Sequence, residues 1–506
     1  MKKLVRFMLY VMLVASVATP IKNASAGDID AKTARQVGAY FMSAQFGNKA
    51  ITPASLNQVY EIANIELNIP ALYVFNTANN SGFVIVSGSE CISPIVAYST
   101  EGGFDPNNIP PNMLWWLNGI ANEVAYAQNN KLEASPASLN SWKELTEENL
   151  PYFGQNSKDI IRLLSTKWNQ NYPYNTLCPA VSGGTSDIRG HAYVGCVATA
   201  MAQIIRYWEY PRVGKSGYAY QWNGQVLDVD FSSAYYDYDL MPNQLTSSST
   251  NDEIYAVSLL GYHCGVSVRM YYSADGSGTS SSYVSDALRK YFKYVKDSLN
   301  YIERTGNRYG NPNSTTSPNI KDTNWVYDIR DQILKRRPVY YSGYSPAGGQ
   351  DAGHAFVCEG WNSSTKTLFF NWGWGGSGDC WCNVFISKLK PAQNIGGTTY
   401  NFTDSHKAVL GITPPDDSIH FVGIEVVENP FIGAAYPNPA KTEVTVTYNL
   451  NGNSNVLMQI FDATGRIVKQ TEVSPISNQI TISVADLRPG IYICRLNGYT
   501  QKFVVQ

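Results

Sequence analysis

At 506 residues and 55.9 kDa the chain exceeds what one core supports, so roughly two to four domains are expected. A formal net charge of -2, a pI of about 6.2 and the lack of a long basic block argue against nucleic acid as a partner. A charged fraction of 15%, with 35 Tyr and 40 Gly, excludes a disordered or coiled-coil chain and suits a loop-rich exported protein.

The chain opens with a targeting signal. Lys2, Lys3 and Arg6 form a basic start, Phe7 to Ala18 is apolar, and Ala24-Ser25-Ala26 offers small residues for cleavage. This predicts a signal peptide over residues 1–26 and an exported chain that starts at Gly27. The apolar run is too short for an anchor, and no other stretch reads as a membrane span. The eight cysteines are too scattered for a disulfide scaffold, although Cys358 could bridge to Cys380 or Cys382. Cys380-x-Cys382 lacks a second ligand pair, so neither metal nor cofactor is expected.

Residues 27–150 read as a small α+β unit. Tyr73-Val74-Phe75-Asn76, Gly82 to Gly88 and Ile95 to Ser99 are short apolar strands, and Leu114 to Ala127 is helical in pattern. Nothing catalytic lies in it. Ahead of an exported hydrolase, such a unit suggests a propeptide.

Residues 151–413 carry the chemistry. Gly195 to Trp208 reads as a helix whose buried face is Val197, Met201, Ile204, Ile205 and Trp208. It begins at Cys196, where the positive end of the helix dipole favours thiolate. A long Tyr/Ser/Gly-rich region follows, with short helical signals such as Ser285 to Val295. Its loop Ala274 to Ser280, containing Ser277, could rim a cleft. A helix over Asp328 to Leu334 precedes strands at Arg337 to Tyr341, Gly353 to Val357 and Leu368 to Asn371.

A thiol nucleophile needs an imidazole partner, a group that orients it and donors for an oxyanion. His354 stands in a Gly-flanked apolar strand beside the strand of Asn371. His191 lies in a loop and His420 in a presumed linker; His263, beside Cys264, is the competitor. Asn371 could accept from one ring nitrogen of His354 and leave the other facing Cys196. Gln170 could reach the oxyanion together with the Cys196 amide. Trp372 and Trp374 could shield the His–Asn bond and wall a subsite. The imidazolium of His354 is expected to do more than the helix dipole to hold the thiolate. Motifs for serine hydrolases, zinc proteases and dinucleotide binding are absent.

Residues 414–435 loosen into a linker. Residues 436–506 alternate again, at Val444 to Tyr448 and Ile480 to Val484, with turns at Asp462-Ala463-Thr464-Gly465 and Arg488-Pro489-Gly490. This predicts a small β-sandwich.

Four segments, in order, resemble the streptopain-like cysteine proteases, relatives of papain. They are Leu163-Leu164…Trp168-Asn169-Gln170…Pro173-Tyr174-Asn175, Val194-Gly195-Cys196-Val197-Ala198-Thr199-Ala200…Gln203-Ile204, Gly353-His354-Ala355-Phe356-Val357 and Asn371-Trp372-Gly373-Trp374-Gly375-Gly376. The resemblance spans about Tyr152 to Thr413. It implies a papain-like α+β fold and endopeptidase action on protein or peptide substrates, with Cys196 and His354 as the catalytic pair. Gln170 matches the family's oxyanion glutamine, and Asn371, Trp372 and Trp374 its His-supporting and cleft residues. Gly353 and Ser277 match positions that meet substrate. Papain's own Cys-Gly-Ser-Cys-Trp signature is absent, so its pocket residues do not transfer.

The N-terminal unit resembles the same family's inhibitory prodomain. This implies a zymogen cut near Glu148 to Ser157, with the prodomain as its own inhibitory partner. The tail, with Tyr436-Pro437-Asn438-Pro439 and Leu487-Arg488-Pro489-Gly490-Ile491-Tyr492, resembles the sorting domain of type IX secretion substrates. That implies the outer-membrane secretion machinery as a partner and release or attachment at the cell surface. A non-enzymatic surface adhesin, and acyl transfer to an acceptor other than water, are the competing readings.

Overall fold

The structure is a computed structural model. It describes residues 27–46, 51–146, 160–304, 322–344, 353–384, 393–395, 398–400, 406–415, 431–449, 456–462, 466–474, 479–496 and 499–506. The expected signal peptide at 1–26, the expected processing stretch near Glu148 to Ser157, His420 and most of the linker at 414–435 lie outside these. The chain divides into two compact units, Met1–Asn156 with Cys382–Phe402 and Ser157–Trp381 with Thr403–Gln506. Among the described residues no helix is long and apolar enough to cross a membrane.

The N-terminal unit is an antiparallel meander of β1 (Leu56–Asn64), β2 (Ile69–Thr77), β3 (Phe83–Ser87) and β4 (Ile95–Ser99). Helix α1 (Ala31–Gln45), N-capped by Asp30, packs on β3, and α2 (Pro111–Asn129) packs on β1 and β2. Every residue of β3 and β4 is buried, as strands without polar alternation require. Helix α3 (Pro136–Thr146) rests on α1 and donates Trp142 Nε1 to the Ile92 carbonyl at 2.9 Å.

The second unit carries β5 (Ile160–Arg162), α4 (Cys196–Trp208), the hairpin β6 (Gly217–Trp222) and β7 (Gln225–Asp230), α5 (Asn251–Ser267), α6 (Tyr283–Lys290), β8 (Asn300–Arg304), α7 (Asp322–Leu334), β9 (Val339–Tyr344), β10 (Gly353–Asn362), β11 (Thr367–Asn371) and β12 (Cys380–Cys382). A short hairpin, β13 (Gln393–Ile395) and β14 (Thr398–Tyr400), comes before β15 (His406–Leu410). The central sheet runs β12-β11-β10-β9-β15-β8, with β5 on the far part of β10. Helix α4 packs across β10 and against α5.

Two helices differ from the sequence reading. The helix expected over Ser285 to Val295 ends at Lys290, and Lys293 then reverses the chain at φ 61°. The Tyr/Ser/Gly-rich region holds a full helix, α5, of 17 residues. Ala256, Val257, Leu260, His263, Cys264 and Val266 are all buried, so α5 has no single apolar stripe to reveal it. At Gly265 a Cβ would come within 2.1 Å of the Tyr272 hydroxyl, so the close crossing demands glycine. All eight cysteines are free thiols, including Cys358, Cys380 and Cys382.

The C-terminal part is the expected β-sandwich. Strands β16 (Phe431–Tyr436), β17 (Glu443–Asn449) and β20 (Gln479–Ser483) form one sheet. Strands β18 (Val456–Asp462), β19 (Ile467–Val473), β21 (Gly490–Leu496) and β22 (Tyr499–Val505) form the other. Val444, Val446, Met458, Ile460, Cys494 and Phe503 fill the space between them.

Candidate active site

Cys196 is the first residue of α4, and Gly195 ahead of it takes φ 90°. A Cβ at Gly195 would sit 2.8 Å from the Met270 sulfur and 3.0 Å from the Ser277 carbonyl, so both the conformation and the space require glycine. The loop of Ser277 thus lies against the approach to Cys196. The Ser277 hydroxyl accepts the Ser273 amide at 3.0 Å and shapes its own loop.

His354 is the second residue of β10, paired with Gly343 of β9. Both Cys196 and His354 are half-buried. Burial pushes the Cys196 thiol up, against hydrogen bonding from the backbone of Ala355, Val197 and Cys196 itself. The contact with Ala355 brings the sulfur to the residue beside His354. Burial also drives the His354 imidazole down to about 4. Desolvation of each group thus works against the expected thiolate–imidazolium pair, while the backbone amides at Cys196 favour the thiolate.

Gln170 is tied to the same place. Its carbonyl accepts the Val194 amide at 2.9 Å, two residues before Cys196. Its side chain is buried, and Gln170 Nε2 has no hydrogen-bond partner among the described residues. A buried amide donor left unsatisfied costs about 1–3 kcal/mol, so it needs a use.

Asn371 ends β11, opposite Val357 of β10. His354 stands three residues further along β10 and on the other side of the strand's alternation. The Asn371 side-chain oxygen accepts from Gln203 Nε2 and from the Gly373 amide, each at 3.1 Å, and Asn371 Nδ2 donates to the Thr166 carbonyl at 2.7 Å. Its hydrogen bonds thus go to α4, to the segment of Thr166 and to the turn after β11, not to the His354 ring. Trp372 is fully buried, with its ring 4.7 Å from Phe356 and Nε1 donating to the Gly378 carbonyl at 2.8 Å. Trp374 is half-buried beside Tyr193, and its buried Nε1 finds no partner among the described residues. Gly353 is exposed at the head of β10.

The other described histidines are occupied elsewhere. His263 is sealed in the α5 core with Nδ1 3.0 Å from the Tyr236 hydroxyl, and burial takes it down to about 4. His191 Nδ1 lies 2.7 Å from the Cys178 carbonyl, and His406 Nδ1 2.8 Å from the Tyr341 hydroxyl.

The sequence assigns no role to two further residues, Gln203 of the family-like helix segment and Glu359. Gln203, two helical turns after Cys196, is fully buried, and its Oε1 accepts from the Thr166 hydroxyl at 2.9 Å and the Trp168 amide at 3.3 Å. It therefore clasps the segment leading to Gln170 and, through Asn371, the Gly373 turn. Glu359 sits fully buried at a register shift of β10. It pairs with Arg162 Nε at 2.7 Å and accepts the Leu163 and Leu164 amides at 2.8 and 3.2 Å. A charged residue in an apolar strand was the signal available for it.

A helix-borne thiol, a sheet-borne imidazole and a free amide donor on one α+β scaffold define the class of papain-like cysteine proteases. Residues 168–382 match the peptidase C10 family, residues 26–124 match the Spi protease inhibitor, and residues 434–506 match the secretion system C-terminal sorting domain. Streptopain of Streptococcus pyogenes is 30% identical over 69% of this chain and 82% of its own. Thiol protease/hemagglutinin PrtT of Porphyromonas gingivalis is 29% identical over 79% of this chain, which spans 44% of that longer protein. A prointerpain A fragment of Prevotella intermedia superposes with a TM-score of 0.54 at 25% identity, covering 71% of this chain and 99% of the fragment.

The chain belongs to the peptidase C10 family, the family of streptopain. It is a cysteine protease with an inhibitor-like N-terminal domain, and its sorting tail addresses it to the cell surface or beyond.

Proposed function

We propose that this chain is made as the zymogen of a secreted endopeptidase whose nucleophile is Cys196. In this reading residues 27–150 are the inhibitory prodomain, 151–413 the catalytic domain and 436–506 the sorting domain recognised by an outer-membrane secretion machinery. Protein and peptide chains are the substrates.

The Cys196 S–H proton passes to His354 as the sulfur attacks the scissile carbonyl. The two charges arise side by side, so each offsets the desolvation of the other. The carbonyl oxygen, now negative, takes hydrogen bonds from Gln170 Nε2 and the Cys196 amide. The tetrahedral adduct collapses, and His354 hands its proton to the departing amine. Water, deprotonated by His354, then cleaves the thioester and restores the thiol. Asn371 acts at one remove in this scheme. It holds the turn that carries Trp372, whose ring packs on Phe356 in the strand of His354. Trp374, Gly353 and the Ser277 loop form the substrate walls.

The observation that carries the reading is the buried, unpartnered Nε2 of Gln170 anchored two residues from the nucleophile. Gln170→Ala should lower kcat for casein-type cleavage by about 10²–10³ with little change in KM, the usual loss for one oxyanion donor. A variant as fast as wild type would remove Gln170 from the mechanism.

A further inference from the structure

A cleft of about 730 Å³ opens in the second unit among residues that the cysteine chemistry does not use. Its cationic lining comes from three segments: Lys215 just before β6, Arg289 and Lys290 at the end of α6, and Lys293 and Lys296 in the turn beyond. Five cations converge here on a chain whose formal net charge is -2. The left-handed backbone of Lys293, φ 61°, folds the turn back so that both of its sides line one opening.

The charges are unevenly neutralised. Asp286 takes Arg289 at 2.6 Å and Lys290 at 3.0 Å. Lys215, Lys293 and Lys296 pair with no carboxylate among the described residues. The carbonyl end of α6 offsets part of the charge of Arg289 and Lys290 within its last turn, so the attraction for an outside anion falls to Lys215, Lys293 and Lys296.

We propose that this cleft binds a sulfated polysaccharide. Its volume suits a short stretch of sugar rings, since ligand clefts run to about 300–1,000 Å³. Lysines act as strongly hydrated point charges and tolerate anions in several positions, which fits sulfates spaced along a chain better than one fixed phosphate. Arg289, the residue able to fork a single phosphate, is already engaged by Asp286. Single-stranded nucleic acid would need open aromatic faces for its bases. Here Tyr291 is stacked 4.7 Å from Phe231 and lies 5.7 Å from Tyr218, so its faces are covered. The sorting tail puts the protein where extracellular polysaccharides are found.

The test is a binding titration of the secreted protein against heparin at about 50 and 200 mM salt. Chemically desulfated heparin and a single-stranded oligonucleotide are run beside it. Wild type is expected to bind heparin at least tenfold tighter than either comparison polymer. The triple variant Lys215→Gln, Lys293→Gln, Lys296→Gln should weaken heparin at least tenfold and lower the log–log salt slope by about 2–3. Its melting temperature and peptide hydrolysis should match wild type, because these side chains lie outside the catalytic machinery. Unchanged heparin affinity in the triple variant would overturn the proposal, as would equal binding of the desulfated polymer or stronger binding of the oligonucleotide. A triple variant that failed to fold would be replaced by the three single variants. Each should then weaken binding about two- to threefold, and three unchanged affinities would likewise overturn it.

Discussion

Gln203 donates to the side-chain oxygen of Asn371 at 3.1 Å, and Asn371 donates to the Thr166 carbonyl at 2.7 Å. Thr166 closes the ring by donating its hydroxyl back to Gln203 at 2.9 Å. One buried circuit thus joins the helix of Cys196, the segment leading to Gln170 and the turn after β11. Gln203→Met keeps the volume and removes both polar ends, leaving Asn371, Thr166 and the Trp168 amide each short of a partner. The loss in stability should be about 2–3 kcal/mol. Because Gln170 would be less well held, kcat should fall about tenfold or more while KM changes little. Steady-state kinetics with thermal unfolding of the same variant separates the two effects; an unchanged kcat would confine Gln203 to a structural role.

Glu359 and Arg162 make a second buried link, from β10 to the chain just ahead of Gln170. Glu359 also receives two backbone amides; Leu163 keeps the Glu359 carbonyl at 3.0 Å, but removing the side chain takes the carboxylate from Arg162 and from the Leu164 N–H. Glu359→Ala should destabilise the catalytic domain by about 3–5 kcal/mol. Chemical unfolding on a Cys196→Ala background, which prevents self-cleavage, measures this directly.

Asp379 accepts the Trp372 amide at 2.8 Å, and burial raises its carboxyl from 3.8 to about 7. A folded pKa above the unfolded one contributes stability that is full below 3.8 and is lost as pH rises through about 7. Asp379→Asn keeps an acceptor for Trp372 and carries no charge. It should melt a few degrees above wild type near pH 8, with the gap narrowing as the pH falls towards about 4. A gap independent of pH would show that Asp379 does not titrate in this window.

The zymogen reading makes a kinetic demand on the sulfur. Purified residues 27–150, added in trans, should inhibit the processed enzyme at micromolar concentration. The precursor should in turn alkylate at Cys196 far more slowly at neutral pH than the processed enzyme does. Equal alkylation rates and no inhibition would remove the prodomain from control of activity.

Much of this site was legible because catalysis leaves local marks. A cysteine at a helix start, a glycine before it and a histidine in a Gly-flanked strand are each odd in isolation and coherent together. The sandwich tail was legible from alternation. Residues whose partners come from distant segments were harder to read. Gln203 looks in sequence like an ordinary polar position on a helix, and its burial depends on Thr166 and Asn371 arriving from either side. Asn371 shows the same limit: its neighbour across the sheet is Val357, and strand register, not sequence order, decides which polar group it meets. Helix α5 lacked periodicity because it is buried on most sides, although the Thr250–Glu253 capping box marked its start. The desolvation that opposes charge on Cys196 and His354 depends on burial, which no motif records.

Active-site titration decides whether Cys196 is the nucleophile. The processed, secreted protein is treated with increasing amounts of a thiol-directed epoxide, residual casein cleavage is followed, and the label is mapped by mass spectrometry. All activity should be lost at one equivalent, with the label on Cys196 and none taken up by Cys196→Ala. Full activity in a chain labelled at Cys196, or cleavage by Cys196→Ala at the wild-type rate, would contradict that role.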